Sequence, residues 1–154
     1  MQPSSRKNCL ICQKIKQIKQ NKNRHFVYEL KTGYVVIGDN QFYKGYTLFI
    51  CKKHNTELNQ LTHSFALNFL KDMMLVSDAV WDAFKPSKLN YELLGNSEPH
   101  LHWHIIPRYK NDPNRTSPIW GQEGNKLDKF KPSADQLKKI KNKLKKELIK
   151  KRHE

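Results

Sequence analysis

His100-Leu101-His102-Trp103-His104-Ile105-Ile106-Pro107 is the stretch on which the reading of the whole chain turns. Successive side chains on a β-strand point to opposite faces. The alternation therefore sets His100, His102 and His104 on one face and Leu101, Trp103 and Ile105 on the other. The apolar set is what a strand laid on a core requires. Three imidazoles on a common face suit metal ligation, or the handling of a phosphoryl or acyl group.

Upstream, residues 90–94 read as a strand, and Gly95-Asn96-Ser97-Glu98-Pro99 as a turn leading into the histidines. Before that, Leu58, Leu61, Phe65, Phe69, Met73, Val76, Val80 and Phe84 recur at steps of three and four. That spacing predicts one long helix over residues 56–84, capped by Asn55 or Thr56 and stopped by Pro86. Residues 25–29, 33–37 and 45–51 read as three more strands, with turns at Lys31-Thr32-Gly33 and Gly38-Asp39-Asn40-Gln41. Leu10, Ile11, Ile15 and Ile18 predict a short helix after Cys12. Downstream, Asn111-Asp112-Pro113-Asn114 and Ser117-Pro118 break regular structure, and Trp120 is expected to dock on something. Ser133-Ala134-Asp135-Gln136 is a capping box opening a last helix with a stripe of Leu137, Ile140, Leu144 and Leu148. Meander, helix, then hairpin predicts an α+β domain: an antiparallel sheet of about five strands, a long helix on one face, and a C-terminal helix.

A chain of 154 residues is long enough for one core without staples. It has no apolar run of membrane-spanning length and no apolar leader in its polar, basic N-terminus, so a cytoplasmic, non-membrane protein is expected. The net charge of +15 favours anionic partners such as nucleotides, polyphosphates or nucleic acid. Much of it falls in residues 138–152. That run reads either as a solvated helix face or as a grip on nucleic-acid phosphates.

Three cysteines give an odd count, and Cys9 and Cys12 form a C-x-x-C. In a chain of this kind the pair reads as metal-binding or redox-active, or as a plain surface dithiol. Cys51 reads as a small buried apolar residue. His25 and His63 have no constellation around them. Ser97 and Asn96 are ordinary turn residues by composition. Because their turn abuts the histidines, their hydroxyl and amide are also candidates for binding oxygens or a leaving group.

The segment from His100 to Ile106 resembles the motif of the histidine triad (HIT) superfamily, and the likeness extends to Asn90-Tyr91-Glu92-Leu93-Leu94-Gly95-Asn96 and Pro107-Arg108-Tyr109. Asp39, and Gly45-Tyr46-Thr47-Leu48 ahead of His54, fit the same pattern. The resemblance spans roughly residues 9–121, which sets a HIT domain at 1–121 and a basic helical extension at 122–154. It implies cleavage at the α-phosphate of a nucleotide through a nucleotidyl-histidine intermediate. His102 would be the nucleophile, and His104 and Ser97 would assist. Asp39, Asn90 and Asn96 would bind the substrate, with Asp39 on the ribose. A dinucleoside polyphosphate or a nucleoside phosphoramidate would be the substrate class. Glutamine at the third triad position marks the transferase branches, so His104 favours the hydrolases. The resemblance further implies a homodimer and a structural zinc held by Cys9, Cys12, His54 and His100.

Chemistry supports such a nucleophile independently. Phosphoryl-type transfer asks mainly for positioning and charge neutralisation, and covalent catalysis by an imidazole splits one hard step into two. The attacking nitrogen must be unprotonated, which a backbone carbonyl can enforce by taking the proton of the other ring nitrogen. Two other readings remain open at this point. In one, His100 and His102 ligate a catalytic metal. In the other, the C-terminal lysines make the chain an RNA- or DNA-binding module.

Overall fold

Alternation along Tyr34-Val35-Val36-Ile37 and Leu48-Phe49-Ile50-Cys51 gives these strands two apolar faces, and the fold covers both. The protein is described here from a computed structural model over residues 8–112, 114–120 and 129–153. Strands β1 (Phe26–Glu29), β2 (Gly33–Ile37), β3 (Thr47–Cys51), β4 (Lys88–Glu92) and β5 (His102–Arg108) form one antiparallel sheet in the order β1-β2-β3-β5-β4. Helices α2 (His63–Phe84) and α3 (Ala134–Arg152) share one sheet face. Val35, Ile37, Phe49 and Ile105 meet Phe69, Val76 and Val80 of α2, together with Leu137, Leu144 and Leu148 of α3, in a single core. The α+β architecture read from the sequence is the one observed.

The other sheet face carries a second helix layer that the sequence reading leaves out. Helix α1 (Leu10–Lys19) lays Ile11, Ile15 and Ile18 on Tyr34, Val36 and Ile50. It begins before Cys12 rather than after it. Cys9 is the N-cap, its sulfur accepting the Cys12 N–H at 3.3 Å. The histidine-bearing face is therefore roofed in part by the segment that carries the two cysteines.

Helix α2 starts seven residues later than the apolar spacing predicts. Thr62, not Asn55 or Thr56, caps it by accepting the Phe65 N–H, and Leu58–Gln60 forms a separate 3₁₀ turn. Leu58 and Leu61 keep the stripe's period across that break. Apolar periodicity reports burial, while the helix start is set by a local side-chain-to-backbone bond. Strand β5 likewise begins at His102, so His100 lies just before it. The capping box of Ser133 and Gln136 opens α3 as expected. Residues 1–7, Pro113, residues 121–128 and Glu154 lie outside the described residues, and with them the expected boundary at 121.

Candidate active site and metal centre

Register brings the histidines together. In the β3–β5 pairing Leu48 stands opposite His104 and Ile50 opposite His102, so Tyr46, Leu48 and Ile50 share the histidines' face. The rings of His102 and His104 lie 4.6 Å apart between centroids. Both side chains are buried, as is His100. His102 Nδ1 lies 2.5 Å from the carbonyl oxygen of His100. A backbone carbonyl can only accept, so Nδ1 carries the proton and Nε2 keeps a lone pair. Burial lowers the His102 pKa. The bond to His100 and the charge of Glu98 act against that, while the charge of Lys14 adds to it. Burial, helped by His102, takes His104 down to about 3. Neutral imidazoles are thus the resting state of both.

His104 Nδ1 is held 2.6 Å from the Tyr46 hydroxyl, with the two rings nearly parallel at 6.0 Å. Burial raises the Tyr46 pKa, so this group remains a neutral phenol. The Trp120 ring stands edge-on to His104 at 5.0 Å, and its indole N–H donates to Glu92. Trp120 is still 44% exposed, so it edges the site and does not belong to the core.

The remaining candidates are spread around this centre. Asn96 and Ser97 are exposed in the bend before Pro99. Asp39 is exposed as well and holds the Lys14 ammonium through both carboxylate oxygens, at 3.1 and 2.9 Å. Lys14 is the cation whose charge acts on His102, which ties Asp39 to the same neighbourhood. Asn90 turns its Oδ1 to the buried Arg108 at 2.7 Å. Arg108 also pairs with Asp112 at 2.5 Å and binds the carbonyls of Asn114 and Ser117. Asn90 thereby supports the loop that delivers Trp120. Sequence reasoning quoted Tyr46 and Arg108 among the residues of the resemblance but gave neither them nor Lys14 a place in the site. The signal for Tyr46 was available, because Tyr46-Leu48-Ile50 alternates in phase with the histidines across the pair.

His100 points elsewhere. Its Nδ1 lies 3.5 Å from Cys9 Sγ, 3.6 Å from Cys12 Sγ and 3.3 Å from His54 Nδ1, while His54 Nδ1 is 3.3 Å from Cys12 Sγ. All four ligand atoms lie within 4.8 Å of one another. A tetrahedral zinc with bonds of about 2.3 Å to sulfur and about 2.0 Å to nitrogen sets neighbouring ligand atoms about 3.3 to 3.8 Å apart. The observed separations match that figure. His100 Nε2 lies 2.8 Å from the Cys51 carbonyl, which takes its proton and leaves Nδ1 free to ligate. The residues present thus fit a closed Cys2His2 metal site between α1 and the sheet. Cys51 is fully buried in the core, as its place in the sequence suggested.

The family model for the HIT domain matches residues 19–111. The chain is 33% identical over 107 residues to the protein named hit of Bacillus subtilis, covering 66% of this chain and 72% of that one. Among solved structures it resembles a Zn-bound histidine triad family protein from Mycobacterium smegmatis (TM-score 0.65, 18% identity, 95% of this chain and 96% of that one). It also resembles Plasmodium falciparum diadenosine triphosphate hydrolase in complex with cyclomarin A (TM-score 0.58, 19% identity, 82% and 78%). At these identities the two structures speak for the shared fold.

Proposed function

The chain belongs to the HIT domain family, whose members are nucleotide-binding hydrolases or transferases, and we propose that it cleaves a nucleotide at the α-phosphate through covalent attachment to His102. The observation that carries this reading is the 2.5 Å contact from His102 Nδ1 to the carbonyl of His100, just ahead of the strand. The bond aims an unprotonated Nε2 away from the backbone. Nε2 attacks the α-phosphorus, a P–N bond forms, and the bond to the leaving phosphate or amine breaks. Water then attacks the same phosphorus, the P–N bond breaks, and the imidazole returns with Nδ1 still bonded to His100. Tyr46 donates its hydroxyl proton to His104 Nδ1 and so holds the His104 proton on Nε2, facing the phosphate oxygens. Ser97 and Asn96 bind the leaving group, Asp39 takes the ribose hydroxyls once Lys14 moves aside, and Asn90 supports the pocket through Arg108. A dinucleoside polyphosphate or a nucleoside phosphoramidate is the substrate.

Zinc is proposed as a structural ion on Cys9, Cys12, His54 and His100. With His100 turned to the cysteines and His102 bonded to a carbonyl, the two do not converge on one point. That geometry favours an imidazole nucleophile over a catalytic metal. A homodimer is proposed across the β4 edge and α2, where Leu67, Leu70, Met74 and Trp81 are exposed along one side.

The test is a panel of dinucleoside polyphosphates and phosphoramidates, with rapid quench and mass analysis of the protein. A nucleotide adduct on His102, lost together with turnover in His102→Asn, is expected. Normal turnover by His102→Asn would overturn the reading.

A further inference from the structure

Two basic cavities lie side by side next to the proposed nucleotide site. The first, about 310 Å³, is lined by Lys14, Lys22, Arg24, His25 and Asp39. The one carboxylate among its described lining residues, Asp39, is already held by Lys14. The second, about 450 Å³, is lined by Lys44, Lys129, Lys131 and Lys139 around Phe130, with no carboxylate among its described lining residues. The Asp39–Gln41 turn separates the two, since Asp39 faces the first and Gln41 the second. Helix α3 runs along both. Lys139 lines the second cavity, and Lys141 Nζ donates to the Arg24 carbonyl beside the first at 2.7 Å. At its inner end the track reaches the Lys14–Asp39 pair, held at 2.9 Å, and Asp39 is the residue proposed to take the ribose.

We infer that a single-stranded nucleic acid binds along this track, its phosphates in the two basic cavities and an unpaired base against Phe130. Phe130 is 42% exposed and is propped edge-on by Phe42 at 4.7 Å, which leaves it an open side. A basic groove with an accessible aromatic face is the recurring arrangement for single strands, because every base offers a face to stack while the backbone supplies evenly spaced charge. A lone phosphate would need one cavity. Two cavities separated by one turn suit a chain of phosphates. Duplex is disfavoured because its bases are already stacked on each other. The far end of α3 is not part of the track: Lys151 is tied to Asp82 and Arg152 to Tyr28. That the strand's terminal nucleotide enters the His102 pocket rests on the function proposed above; binding itself does not.

The experiment is fluorescence anisotropy with labelled 12-nucleotide single-stranded RNA and DNA across a salt series, using the full chain. Affinity should fall with salt at a log–log slope of about −3 to −4, as expected when about five phosphates are neutralised. Lys129→Gln with Lys131→Gln should lower the slope by about 1.4. Phe130→Ala should cost about tenfold in affinity, within the range for one stacked base. Lys71→Gln with Lys85→Gln, the same loss of charge on α2 and at its C-cap, should leave affinity unchanged. Equal weakening by the α2 pair would mean diffuse attraction and would overturn the inference. So would tight binding to phosphatidylserine vesicles without binding to either oligonucleotide. Strand binding and nucleotide turnover are measured side by side on the wild-type chain, and binding is expected whatever the turnover. Such binding beside absent wild-type turnover would uphold the track and defeat the catalytic proposal alone.

Discussion

Removing the zinc proposed for the Cys2His2 site should undock α1 while leaving the sheet intact. Ile11, Ile15 and Ile18 are 6%, 8% and 5% exposed, so each is close to fully buried on the sheet. At about 1.5 to 3 kcal/mol for each such side chain, they contribute roughly 5 to 9 kcal/mol together. Ordering the ten residues of α1 costs about 12 to 20 kcal/mol in backbone and side-chain entropy. The apolar contacts alone leave a shortfall of several kcal/mol. A structural zinc in a site of this type supplies about 10 to 16 kcal/mol of apparent free energy, enough to reverse the balance. Amide hydrogen exchange before and after dialysis against a strong chelator is the assay, with elemental analysis reporting the metal. Amides of residues 14–19 should exchange at least a hundredfold faster in the stripped protein, and those of β2, β3 and β5 should change little. Cobalt in place of zinc should show the visible bands of a tetrahedral site with two thiolates. Unchanged protection of α1 in protein shown to be metal-free would refute the reasoning.

Three further outcomes are expected. Tyr46→Phe removes the donor that sets the His104 proton; it should lower kcat about tenfold with KM little changed, in line with a lost hydrogen bond of about 1.4 kcal/mol, and an unaltered kcat would count against the role given to Tyr46. Leu144 is fully buried, so Leu144→Ala should cost about 2 to 5 kcal/mol in urea unfolding, in one transition common to fluorescence and circular dichroism; two separate transitions would show α3 to be an independent unit. Hydrogen bonds from Lys151 and Lys85 hold the Asp82 pKa below its ordinary 3.8. A carboxylate with a lowered folded-state pKa stabilises above its unfolded pKa and ceases to do so as pH falls through the folded value. The α2–α3 tie should therefore persist at pH 6 and be lost as pH falls through the lowered folded-state pKa, so amide exchange in the last turns of α3 should be faster in Asp82→Asn at pH 6 and equal to wild type at the acid end.

The alternation His100 to Ile106 was sufficient to place a strand and set its three histidines on one face, because strand geometry converts period two directly into sidedness. The capping box at Ser133 and the stripe of Leu137, Leu144 and Leu148 were legible for the same local reason. Capping and periodicity involve residues a few positions apart. The start of α2 was misplaced because Leu58 and Leu61 keep the helix period while Thr62 resets the backbone. Only the tertiary structure decided where each histidine ring lies and what it touches. His100 leaves the strand's line to join Cys9, Cys12 and His54, contacts that bridge 46 to 91 positions and depend on how α1 crosses the sheet. Tyr46 meets His104, and Lys14 meets Asp39, through register and docking that no local pattern encodes. The chain's own order fixes what each segment can become; packing between distant segments fixes which atoms meet, and the candidate chemistry depends on that meeting.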